Sequence, residues 1–207
     1  MLGLLAVVST AALAQQPDTS LWSRLHYRFV GPEGNRAVAV IGEPGNPMVA
    51  YVGAASGGIW KTDDAGWHWR AVFDSEPAQA IGALAMAPSA HNIIWAGTGE
   101  TFFIRSMTAL GNGVYKSTDA GRSWTHMGLD STGRIGRIVI SSLDPNVVLV
   151  CALGRSYGPA QQRGVYRSAD GAMASAPIAC AGSESNTARQ CQPASSVFQM
   201  PPDAAPT

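Results

Sequence analysis

Carboxylates are the side chains with the most chemistry to offer in this chain, and three of them recur in one setting. Asp64, Asp119 and Asp170 each lie two residues after a hydroxyl, at Thr62, Ser117 and Ser168. Gly66 and Gly121 follow the first two carboxylates, and Trp69 and Trp124 come next. The text upstream repeats as well: Gly58-Ile59-Trp60-Lys61-Thr62, Gly113-Val114-Tyr115-Lys116-Ser117 and Gly164-Val165-Tyr166-Arg167-Ser168. An ordered string of that length, met three times, is an internal repeat. A hydroxyl and a carboxylate two residues apart both accept backbone N–H bonds in a tight turn, glycine supplies positive φ, and tryptophan covers apolar surface. One Asp per repeat cannot share one active site, so these residues are expected to build turns.

The remaining carboxylates offer less. Glycoside cleavage needs two of them across the scissile bond. Glu100, Asp74 and Asp130 are available, but no spacing pairs them. His26, His68, His91 and His126 are scattered, and there is no CxxC, zinc spacing, phosphate loop or Ser/His/Asp elbow. Neither a metal nor a cofactor is expected. The 14 basic and 14 acidic residues cancel, and no basic stripe argues for nucleic acid.

The elements that must position these residues are strands. The chain is 14% charged, with 23 Gly and 13 Pro, which fits a turn-rich β protein. In the first unit strands are expected over 37–41, 48–53, 58–61 and 67–73. The second gives 81–86, 92–97, 113–116 and 123–127, and the third 135–140, 146–152 and 164–167. Ile81 and Ile135, Asn92 and Asn146, and Trp95 and Leu149 keep one constant offset. Four antiparallel strands per unit, repeated at this length, describe the blades of a β-propeller. The fold class is therefore all-β, an incomplete propeller of two full blades and most of a third.

Met1 to Ala14 is apolar, and Ala12-Leu13-Ala14 has the small-x-small form of a signal-peptidase site. Residues 1–14 are read as a signal peptide, which predicts a secreted or periplasmic protein with Gln15 as its mature start. Residues 15–35 form a lead-in that begins or closes a sheet, 36–171 the blades, and 172–207 an irregular tail. Cys151, inside an apolar run, reads as a buried thiol, while Cys180 and Cys191 in the tail can pair in an oxidising compartment. In the third repeat Ala172 and Ser175 stand where Gly and Trp are expected, and no alternating strand follows. So abrupt a loss suggests a reading-frame change or a truncated gene. An unclosed stack of blades leaves edges exposed, so the chain is expected to be a fragment or to associate with other copies.

The stretches Thr62-Asp63-Asp64-Ala65-Gly66-Trp67-His68-Trp69 and Ser117-Thr118-Asp119-Ala120-Gly121-Arg122-Ser123-Trp124 resemble Asp-box, or BNR, repeats. With Gly97-Thr98-Gly99-Glu100 and Gly111-Asn112-Gly113-Val114-Tyr115, residues 22–171 look like bacterial exported proteins related to the sortilin propeller and often labelled glycosyl-hydrolase-like. The resemblance implies the propeller fold but no single function, because such proteins include hydrolases, peptide binders and assembly factors. Xyloglucanases of this kind carry a catalytic Asp in a Thr-Asp-x-Gly-Gly segment. The matching stretch here is Ala54-Ala55-Ser56-Gly57-Gly58, with Ala55 in the place of that Asp.

In a four-stranded blade the connections between strands two and three, and those between blades, emerge at one end, with the Asp turns at the other. Ligand-binding candidates are therefore Glu100, Phe102, Phe103, Arg105, Arg155 and Tyr157 in the former, and Asp74 and Asp130 in the latter. Phenylalanine beside charged groups suits a protein, peptide or glycan ligand. Part of a carbohydrate-active hydrolase, or a non-functional truncated product, are the other readings.

Overall fold

A computed structural model describes residues 29–32, 36–101, 109–155, 162–168 and 170–171. The signal peptide, most of the lead-in, the tail with Cys180 and Cys191, and Phe102, Phe103, Arg105 and Tyr157 lie outside the described residues.

The described chain is three antiparallel sheets laid side by side. Blade one is β1 (Ala37–Glu43), β2 (Asn46–Ala54), β3 (Ile59–Thr62) and β4 (Arg70–Ala71), in that order across the sheet. Blade two repeats this with β5 (Ile81–Ala87), β6 (Ala90–Thr98), β7 (Val114–Ser117) and β8 (Thr125–His126). Blade three has β9 (Ile135–Ile140), β10 (Val148–Ala152) and β11 (Gly164–Ser168). This is an incomplete β-propeller. The fourth strands are shorter than the apolar pattern suggests, because the residues before them are taken up by side-chain bonds of the turn.

Alternation along each strand gives a blade two apolar faces. Tyr51 and Ile59 of blade one pack on Ile81, Leu84, Ile94, Ala96 and Tyr115 of blade two. Trp95, Ala83 and Val114 of blade two pack on Ile135, Ile138, Val148, Val150 and Tyr166 of blade three. Phe73, in the connection between blades one and two, meets Tyr115 and Trp124 edge-on at 5.1 and 5.2 Å. The core is thus two slabs between blades, and each blade needs a neighbour on both sides. Two close approaches set the spacing. A Cβ on Gly53 would stand 2.5 Å from Ile81 Cγ2, and one on Gly97 would stand 2.3 Å from Ile135 Cγ2. Cys151 is half-buried and free, on the face of blade three that no described residue covers.

Candidate functional site

Two of the repeated carboxylates, Asp64 and Asp119, are spent on their own turns. Thr62 Oγ1 donates to Asp64 Oδ1 at 2.8 Å and accepts from the Gly66 N–H at 2.9 Å. Asp64 also accepts from the His68 N–H at 2.9 Å and meets its ring Nδ1 at 2.6 Å. In the second copy Ser117 Oγ donates to Asp119 at 2.8 Å and accepts from the Gly121 N–H at 2.8 Å. Asp119 accepts from the N–H groups of Arg122 and Ser123, each at 2.9 Å, and from Ser123 Oγ at 2.6 Å. Gly66 and Gly121 have φ of 86° and 81°, as the turn needs. A feature the sequence does not advertise is that Ala65 and Ala120 also have positive φ, at 59° and 60°. A side chain there costs on the order of 1–2 kcal/mol, so the side-chain bonds must outweigh it. The third copy keeps the start of the pattern: Gly171 stands in the alanine place with φ 81°, and its N–H donates to Ser168 Oγ at 2.9 Å.

Hydrogen bonds from His68, through its backbone first and then its ring, hold Asp64 well below the usual carboxylate range. The bonds from Ser123, side chain first, hold Asp119 at about 2. A folded-state value below the unfolded one stabilises the fold above the unfolded pKa of ~3.9, and the gain is lost as pH falls towards the folded value. Asp119 is close to solvent, so screening limits its share to about 1 kcal/mol at neutral pH. The Asp119→Asn variant is expected to unfold at lower urea than the parent at pH 7, with the gap clearly narrowed at pH 2.5 and lost as pH falls through about 2. An undiminished gap at pH 2.5 would show that charge is not the source.

The turns and the connections occupy opposite ends of the blades. Beside the turns, the N–H groups of Ala65, Ala120 and Gly171 donate to Met48, Asn92 and Asn146 at the hairpins between first and second strands. At the other end the N–H groups of Ala55, Gly99 and Leu153 donate to the carbonyls of Arg36, Ala80 and Arg134, just ahead of each first strand. Gly58 and Gly111 reach across to Gln79 and Gly133 of the next blade's approach.

Glu100 lies at that end but is 1% exposed. Its Oε1 meets Arg36 Nη1 at 2.9 Å, and its backbone N–H donates to Ala109 O at 2.8 Å. The carboxylate thus ties blade one to blade two and fixes the base of the connection it opens, and its ring of contacts differs from that of a solvent-facing ligand group. Arg134 is 2% exposed, with Nε donating to Gly154 O at 2.9 Å. Burial first, and the positive charge of Arg163 second, lower its proton affinity. Arg163 in turn donates through Nε to Leu153 O at 2.9 Å. Arg155 and Asp74 are exposed. Asp130, also exposed, opens a short 3-10 turn and lies 3.3 Å from His126 Nε2. Ala55, in the place of the xyloglucanase-type Asp, is buried with its N–H bonded to Arg36. The structure therefore brings Glu100 to Arg36, not to Asp74 or Asp130. Arg36 has no motif of its own. Its signal was positional: like Arg134, it directly precedes the first strand of a blade.

Among solved structures the chain is similar to an ancestral GH74 enzyme, at 28% identity and a TM-score of 0.58, over 73% of this chain and 20% of that one. It is also similar to the GH74 xyloglucanase from Xanthomonas campestris, at 21% identity and TM-score 0.49, over 70% and 21% of the two chains. With YCF48 from Cyanidioschyzon merolae the figures are 16%, 0.43, 68% and 39%. No family model matches, and no curated protein matches. The chain thus spans about a fifth of the GH74 structures it resembles. The class defined by fold and neighbours is an incomplete β-propeller with glycoside-hydrolase-like relatives. Among the described residues no helix is long and apolar enough to cross a membrane.

Proposed function

We propose that the chain is an exported Asp-box propeller module that binds a protein, peptide or glycan ligand at the connection end. The observation that carries this is the division of labour between the two ends. Asp64 and Asp119 are saturated by their own turns, whereas Arg155, Asp74 and Asp130 stand exposed at the connection end. The same connections carry Phe102, Phe103, Arg105 and Tyr157. Variable connections on a rigid scaffold are where binding residues concentrate, and aromatic rings beside fixed charges suit sugar rings and peptides alike. Glu100 and Arg36 then act as supports beneath the surface.

The test is calorimetric titration of the protein with a panel of neutral and acidic oligosaccharides and short peptides. Binding that weakens by roughly tenfold, or about 1.4 kcal/mol, in Arg155→Ala or Asp130→Ala, with an unchanged melting temperature, supports the reading. A folded protein that binds nothing in the panel speaks for a non-functional product. A second reading, part of a carbohydrate-active hydrolase, is favoured by the 28% identity to the GH74 enzyme. Release of reducing ends from xyloglucan oligosaccharides by this chain would establish it over simple binding, and Ala55 argues that the missing carboxylate would come from elsewhere.

A further inference from the structure

The first Asp turn carries side chains that the turn itself does not need. The second turn closes with the same hydroxyl, carboxylate and backbone bonds, yet it has Thr118, Ser123 and Thr125 where the first has Asp63, His68 and Arg70. Ser123 Oγ meets the carboxylate of Asp119 as the His68 ring meets that of Asp64. The fold therefore asks only for a donor at that place, and a histidine exceeds the demand. Arg70 lies opposite Lys61 in the β3–β4 pairing, and Thr125 lies opposite Lys116 in the β7–β8 pairing. Residues that differ while the turn stays the same are available for another task.

Those three side chains border a cavity of about 270 Å³, lined by Lys61, Asp63, Asp64, His68, Trp69 and Arg70. It is a little smaller than the ~300–1,000 Å³ of sites for drug-sized ligands, which leaves room for one small ring. Asp63 is held from both sides, with Lys61 Nζ 3.0 Å from Oδ1 and Arg70 Nη2 2.8 Å from Oδ2. Its charge is thus met within the cavity, and neither an anion nor a cation finds a surplus of the opposite sign. Bonding capacity is left over all the same. Arg70 gives one nitrogen to Asp63 and keeps further N–H donors, and each Asp63 oxygen keeps a lone pair. An ionised carboxylate only accepts, so the 2.6 Å contact with Asp64 puts the proton of a neutral His68 on Nδ1 and leaves Nε2 as an acceptor. Fixed donors and fixed acceptors side by side match a group that does both, which is a hydroxyl. The Trp69 indole adds the apolar wall that such sites use for orientation.

We infer that this cavity binds one pyranose ring of a neutral glycan. Ring hydroxyls donate to Asp63 and to His68 Nε2 and accept from Arg70, and the C–H face of the ring lies against Trp69. The site is at the turn end of blade one. It is separate from the connection end and does not rest on the function proposed for that end.

The test gives the first turn the residues of the second. Proton–nitrogen correlation spectra of the full chain are followed during titration with the methyl glycosides of glucose, galactose, mannose and xylose, with sulfate and choline as charged controls. At least one glycoside is expected to shift the Trp69 indole N–H and the amides of residues 63–70, saturably, while the controls do not. The Asp63→Thr, His68→Ser, Arg70→Thr variant is expected to keep the urea midpoint of the parent and to bind that glycoside at least roughly tenfold more weakly. Lys116, held over the Trp95 ring at 5.3 Å, shows that a lysine at this place does not need the carboxylate. Should the triple variant unfold, Arg70→Thr alone, at an exposed position, carries the same expectation of weaker binding. No response of the turn to any of the four glycosides overturns the inference. So do equal affinity in a folded variant and a stronger response to sulfate or choline. Shifts confined to the connection end overturn it too, while leaving the function proposed there standing.

Discussion

Trp95→Ala is expected to lower stability by about 3–5 kcal/mol, enough to unfold much of the protein at moderate urea. The side chain is fully buried between blades two and three, against Ile135, Ile138, Val148 and Val150. Its ring face also holds Lys116 Nζ at 5.3 Å from the centroid. Burying a tryptophan removes ~150–250 Å² from water, worth on the order of 4–6 kcal/mol at 25 cal/mol per Å², and the truncated site cannot collapse because two sheets frame it. Leu143→Ala, at a position 94% exposed between β9 and β10, is the control and should stay within about 0.5 kcal/mol. Urea midpoints for the two variants decide the matter. A small loss at Trp95 would mean that blade three is not docked as described.

The blade fold was legible because its signals are local. Thr62, Asp64 and Gly66 satisfy one another within a single turn, and that economy leaves a fixed string in the text. The alternation that lines up Ile81 with Ile135 is likewise written along the strand. What escaped is what depends on distance. Glu100 looks from its neighbours like a solvent-facing loop carboxylate, yet the partner that buries it, Arg36, comes from another blade. Gly97 reads as one small residue among many, and only its contact with Ile135 shows it to be a socket. The candidate site is less legible than the fold for the same reason. Its residues sit on connections that differ from blade to blade, so no repetition identifies them.

Gly97 also carries the second large effect. Gly97→Ala is expected to cost about 1–3 kcal/mol, since the new Cβ lies 2.3 Å from Ile135 Cγ2 and 2.5 Å from its Cβ. Ile135→Ala alone leaves a cavity in a fully buried place and is expected to cost about 2–5 kcal/mol. Together the two changes exchange a hole and a knob for two small residues. The double variant should therefore be more stable than the sum of the singles predicts, by about 0.5–3 kcal/mol of coupling. Urea unfolding of the four proteins measures the cycle. Strict additivity would show that the glycine socket does not set the spacing of the blades.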